Sequence, residues 1–182
     1  TRIRVVAYDS ERIEEHDDVD LDRLAALLSQ DLRLWIDVDG LGDLELLRGL
    51  ARLIELHPLA LEDVMSPSER SKVERFRLHH FIVIRMPSAS GPEDGERLSL
   101  FMGRNYVLTF QGERPGDCLD AVRERLRRGF GRVRDAGADY LAYALVDAVV
   151  DHYFPHAEAL SSMIDALEEE VLGKTTPGLS ER

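Results

Sequence analysis

The sequence predicts an α/β fold: an α/β/α sandwich with a mixed parallel and antiparallel sheet, ending in a long C-terminal helix. Three observations predict it. Strand-like and helix-like segments alternate at first, then three strand-like segments follow in succession, so the sheet has to combine parallel and antiparallel pairs. The strand segments do not alternate cleanly between apolar and polar residues, which is the pattern of a sheet covered on both faces. The longest helical periodicity lies at the end, from Ala138 to Leu172.

Residues 2–8 (Arg-Ile-Arg-Val-Val-Ala-Tyr) are rich in β-branched residues and read as the first strand. The acidic stretch Glu14 to Asp22 reads as a solvated loop leading into a helix over 20–29, where Leu21, Leu24, Ala25, Leu27 and Leu28 recur at helical spacing. Arg33 to Val38 is a second strand, closed by the Asp39-Gly40 turn. Leu44, Leu47, Leu50, Ala51 and Ile54 mark a helix over 42–55. A further short helix spans 58–65, with Pro58 at its first position, where no backbone donor is needed, and Ser66-Pro67 as its stop.

His80–Met86, Arg97–Met102 and Tyr106–Phe110 read as an antiparallel meander, with Gly91 to Gly95 as a turn-rich connection and Gly103-Arg104-Asn105 as a tight turn. From Asp117 the chain turns helical, with Leu119, Val122, Leu126 and then Phe130 along one face. The arginines from Arg123 to Arg134 read as a solvated face paired to nearby acids, with a phosphate-binding or partner surface as the alternative. Pro155 interrupts the final helical pattern and should kink or break it. Residues 1–172 are expected to form one domain, and 173–182, rich in Gly, Pro, Ser and Thr, a linker or the start of another segment.

Among 182 residues, Asp and Glu outnumber Lys and Arg by 35 to 23, a net charge of −12. That argues against nucleic acid or an anionic membrane surface as partner, and fits cation binding or simple solubility. Cys118 is the sole cysteine, so neither an internal disulfide nor a multi-cysteine zinc site is expected. No apolar run reaches the roughly 18 residues that a membrane helix needs.

The familiar catalytic patterns are absent: there is no Gly-rich phosphate loop, no G-x-S-x-G and no H-E-x-x-H. Cys118 reads as a plain small residue. His152 and His156 have the i, i+4 spacing of zinc ligands on a helix, but Pro155 lies between them and disturbs that geometry. His79 and His80, adjacent on a strand, point to opposite faces. The carboxylates are more suggestive. Glu62 and Asp63 end a short helix, where acids oppose the helix dipole, so a cation or a nearby arginine is implied. Asp147 and Asp151 are spaced i, i+4, and Asp147 sits in an apolar run where burial would require a partner or an ion; the alternative is that both lie on the wet face of the helix.

Several segments, taken in order, carry a resemblance. They are Trp35-Ile36-Asp37-Val38, His57 to Val64, Lys72-Val73-Glu74, Asn105 to Gln111, Val122 to Arg125, Ala138 to Asp151 and Leu167 to Leu172. This series resembles the N-terminal cytoplasmic domain of the CorA family of magnesium and cobalt transporters, over nearly the whole chain after residue 30. The resemblance implies a funnel module of a homopentameric channel in the inner or plasma membrane, not an enzyme. It also implies membrane contact only through C-terminal helices and a Gly-Met-Asn motif that this sequence does not contain. The domain itself is expected on the cytoplasmic side, soluble, and a monomer or dimer when alone.

The resemblance further implies regulatory divalent sites between neighbouring subunits. Glu62 and Asp63 match one side and Asp147 takes part, with Asp151 as a weaker candidate and a further aspartate on a stalk beyond Arg182. The expected ion is Mg²⁺, with Co²⁺ or Zn²⁺ as alternatives. Where other members often have Arg-Pro-Lys-Val-Glu, this chain has Arg70-Ser71-Lys72-Val73-Glu74. Two other readings compete: the cytoplasmic domain of a ZntB-type zinc transporter, which His152 and His156 keep open, and a free-standing acidic metal-binding protein or enzyme.

Overall fold

A computed structural model of the chain describes residues 1–66, 70–88, 91–112 and 118–173, with the backbone alone at 91–94 and 171–173. Among the described residues, seven strands form one sheet: β1 (Arg2–Tyr8), β2 (Ile13–His16), β3 (Arg33–Asp39), β4 (Lys72–Arg75), β5 (His80–Ser88), β6 (Gly91–Met102) and β7 (Tyr106–Gln111). Their spatial order is β2-β1-β3-β7-β6-β5-β4. The central pair, β3 with β7, is parallel, and its neighbours on both sides are antiparallel. The mixed sheet expected from the order of elements is therefore present.

Alternation along β3 explains why its sequence does not look amphipathic. Leu34, Ile36 and Val38 pack on one face with Leu24, Leu47, Leu50, Ala60 and Val64. These come from three helices on that face: α1 (Leu21–Leu28), α2 (Leu44–Leu53) and α3 (Pro58–Met65). Trp35 points the other way, into a second core with Val122, Leu126, Leu141 and Leu145. That core is supplied by α4 (Asp120–Arg128) and α5 (Ala138–Asp151). Both faces of the strand are sealed, so a near-continuous apolar run is what burial demands.

Local chemistry sets the helix ends. Asp20 caps α1 by accepting from the Arg23 N–H, and Asp43 caps α2 by accepting from Glu45 and Leu46. Gly129, at φ 61°, ends α4 in the left-handed conformation. The Arg134 guanidinium then covers the carbonyls of Leu126 and Arg127.

Several expectations need correction. Residues 13–16 are not loop but the edge strand β2, held by backbone pairing to β1; its charged side chains suit an edge and hid it from an apolar count. Strand β4 is equally invisible, since Lys72, Glu74 and Arg75 are charged and its single apolar residue, Val73, is exposed. Gly91 to Gly95 are not a connection: they open β6, whose ladder with β5 extends to Ser88 opposite Gly91. Phe130 is exposed, because the chain leaves the helical line at Gly129.

The break expected at Pro155 comes slightly earlier. Helix α5 stops at Asp151, and α6 (Phe154–Gly173) restarts after a two-residue turn with Pro155 in its first turn. Residues 157–170 of α6 are exposed on every side. Pro67 and the segment 174–182, expected as a helix stop and a linker, lie outside the described residues.

Candidate functional site

Helix α3 brings Glu62 and Asp63 to its C-terminal turn. His57 caps its start, its Nδ1 accepting from the Leu59 N–H at 3.3 Å while its ring stacks on Phe76 at 5.0 Å. Ala60, Leu61 and Val64 fill the core, which leaves Glu62 exposed and Asp63 half-buried. The unfavourable charge at this helix end is compensated in two ways. Lys72, on the edge strand β4, places Nζ 2.7 Å from Asp63 Oδ2. The Arg97 guanidinium donates to the backbone carbonyls of Ser66 and Val64. The nearby arginine, one of the two alternatives implied by the sequence, is therefore there, with a lysine ammonium beside it.

Asp147 lies on α5, half-buried, one turn after Tyr143. Its carboxylate pushes the Tyr143 hydroxyl pKa upward, the direction expected when a phenol faces a negative oxygen. Asp147 opens onto a pocket of about 340 Å³ between α4 and α5, which Asp120, Arg125, Asp151 and His152 also line. Asp151 is exposed. His152 sits in the turn between α5 and α6, so it and His156 do not share one uninterrupted helix, as the position of Pro155 implied.

The two carboxylate groups are not brought together within one chain. α3 packs on one face of the sheet and α5 on the other. Among the described residues no group of three or more His, Cys, Asp or Glu side chains is arranged to hold a metal ion. The donors themselves are carboxylate oxygens, which fit a hard cation such as Mg²⁺ that keeps part of its water shell.

The polar centre that sequence reasoning missed is structural. Asp37, on β3, is 3% exposed. Burial pushes its carboxyl upward, opposed by the charge of Arg123 and by hydrogen bonds from Thr109 and Arg123. In the sequence Asp37 reads only as part of a strand and Arg123 only as part of a basic face, whereas Arg123 is buried and paired to Asp37. Alternation could have found the pair: Asp37 shares the Trp35 side of β3, and Arg123 follows Val122 on α4. Other expectations hold: His79 is buried against the Tyr106 hydroxyl at 2.5 Å while His80 is exposed, and Cys118 is buried in the α4–α5 core.

A family model described as CorA-like Mg2+ transporter protein matches residues 32–182. The cobalt/magnesium transport protein CorA of Thermotoga maritima is 37% identical over 173 residues, covering 93% of this chain and 49% of its own length. The chain thus spans about half the length of that relative. The fold matches the CorA magnesium transporter of Methanocaldococcus jannaschii, with a TM-score of 0.67 at 18% identity, covering 95% of this chain and 52% of that one. It also matches the ZntB cytoplasmic domain from Vibrio parahaemolyticus, with a TM-score of 0.67 at 9% identity, covering 91% of this chain and 65% of that one. Among the described residues no helix is long and apolar enough to cross a membrane. With a match over most of its length and a relative at more than a third identity, the chain belongs to the CorA-like Mg2+ transporter family.

Proposed function

We propose that this chain is the cytoplasmic regulatory part of a homopentameric CorA-type divalent cation channel. In this reading Glu62 and Asp63 of one copy and Asp147 of its neighbour hold a regulatory Mg²⁺ ion. The observation that carries the reading is the separation of the two carboxylate groups onto opposite faces of the sheet. A site made of both needs two copies, and so reports on how the copies sit against each other.

The residues suit that task. Asp63 and Asp147 are half-buried, so each is positioned by its helix rather than by a loop, while Glu62 reaches solvent. A bound divalent cation would supply the positive charge that lets two acidic surfaces approach. Without it the carboxylates face one another and repel, which favours separation and an open pore. The shift requires tighter binding in the closed arrangement than in the open one. An all-oxygen donor set favours Mg²⁺ over Zn²⁺, which prefers nitrogen and sulfur.

The test uses the whole transporter. Asp63→Ala and Asp147→Ala should each weaken the protection from proteolysis that millimolar Mg²⁺ gives. Unchanged protection in both variants would remove the basis for this assignment.

A further inference from the structure

We propose that Lys72 is a tethered competitor for the divalent cation at Asp63, and that it sets the concentration at which the ion binds. The proposal rests on the reading of Asp63 as a ligand. It explains a residue that the sequence placed beside the site without giving it a role.

The geometry is specific. Lys72 Nζ lies 2.7 Å from Asp63 Oδ2, and the two side chains are 23% and 24% exposed. The pair is therefore more than half withdrawn from water, where an ion pair is screened less than at an open surface. Lys72 opens strand β4, whose backbone is fixed by pairing to β5, with Lys72 opposite Val83. Its ammonium is thus delivered to α3 from a rigid strand. Two further groups lie within its reach: Glu74 Oε1 at 3.1 Å and the Phe81 ring, 5.7 Å from Nζ to the centroid. Both attract a cation, so the ammonium has somewhere to stay after leaving Asp63.

A monovalent ammonium and a divalent ion repel when they share one carboxylate. An incoming cation must displace the ammonium from Asp63 or bind against its charge. Either way the free energy of the Lys72–Asp63 contact is subtracted from that of binding. The result is weaker affinity without loss of the ligand. Arg97 and Lys72 together leave the end of α3 balanced when no metal is bound, so the helix does not depend on the ion to fold.

The experiment reads two quantities in the whole transporter across a MgCl₂ titration. One is the midpoint of Mg²⁺-dependent protection from proteolysis; the other is the reactivity of Lys72 Nζ toward reductive methylation, followed by mass spectrometry. Lys72→Gln should lower the midpoint on the order of three- to tenfold, and Lys72→Arg, which keeps the charge, should not. Arg75→Gln removes an equal charge from the same strand and should shift the midpoint less. In wild type, Lys72 should become more reactive as Mg²⁺ rises. With Asp63→Asn, the Lys72→Gln change should have no further effect.

Suppose Asp63→Asn abolishes protection while Lys72→Gln leaves the midpoint where it was, or Lys72 reactivity stays flat. The competitor role is then overturned and the site stands. If Asp63→Asn changes nothing, the site reading itself falls, and the competitor role with it.

Discussion

Arg123 Nη2 lies 2.7 Å from Asp37 Oδ2, and the two side chains are 9% and 4% exposed. The contact ties α4 to the middle of the sheet. Asp37 also accepts from Thr109 Oγ1 at 2.7 Å and from Arg4 Nη2 at 3.1 Å, while the Arg123 guanidinium lies 5.0 Å from the Trp35 ring centroid. Removing one partner would leave the other charge buried. Arg123→Met should therefore cost about 3–5 kcal/mol in urea unfolding at neutral pH. Adding Asp37→Leu should recover part of that loss. The folded Asp37 carboxyl is shifted up, so its protonated form favours the fold: stability is greatest below the unfolded value and declines as pH rises through the folded one. Without Arg123 that shift grows, and the variant should regain stability as pH falls from neutral.

The edge strand β2 is tied down by a second arginine of the same helix. Arg127 donates Nε and Nη2 to Glu15 at 2.7 and 2.9 Å. That contact holds the Glu15 carboxyl below its ordinary value of 4.5. A depressed carboxyl contributes stability above its unfolded pKa and loses it as pH falls through the folded one. Amide exchange in 13–16 should accordingly quicken below about pH 4.5, ahead of the rest of the sheet. Arg127→Ala should give the same local opening at pH 7, with β3 and β7 unchanged.

What the sequence made legible follows from what burial requires. Strands β3 and β7 are apolar because they are covered on both faces, β1 shows Ile3, Val5 and Ala7 on its buried face, and helices α1, α2 and α3 carry both an apolar stripe and a recognisable cap or proline at the start. Strands β2 and β4 are held by backbone pairing and by charged contacts, Glu15 with Arg127 and Lys72 with Asp63, and Glu14, Glu15, Lys72 and Glu74 give no apolar trace of it. Asp37 and Arg123 were hidden because each is charged, and composition alone counts charge as surface. Their burial becomes visible only when β3 and α4 are stacked. Of the candidate site, Glu62 and Asp63 stand out at a helix end and Asp147 in an apolar run, and the resemblance gives them a ligand role, whereas the Lys72 contact to Asp63 depends on β4 meeting α3 across the fold.

His79 gives the fold a third pH dependence, near neutrality. Burial lowers its pKa from 6.5, because a charged imidazole is poorly solvated beside Phe101 and Tyr106. The unfolded chain then binds the proton more readily, so stability should fall as pH drops below about 6.5 and level off under the folded pKa. His79→Gln should flatten that part of the profile in thermal unfolding between pH 7.5 and 5.5. Tyr106→Phe, which removes the hydroxyl 2.5 Å from His79 Nε2, should lower stability across the whole range.

Helix α6 should prove separable from the stability of the domain. Leu160, Met163, Ile164 and Leu167 are between 48% and 62% exposed, so the residues that would ordinarily anchor an amphipathic helix bury little here. Leu141, Leu145 and Val149 of α5 are fully buried by contrast. A helix without tertiary contacts depends on its own propagation, which is marginal in water. Amides of 157–170 should therefore exchange orders of magnitude faster than those of α5 in the isolated chain. Leu160→Ser and Ile164→Ser should change the unfolding free energy of the domain by no more than about 0.5 kcal/mol each, whereas Leu145→Ala should cost about 2–5 kcal/mol. Slow exchange in α6, or a large loss from either serine substitution, would mean that this apolar stripe is packed in solution.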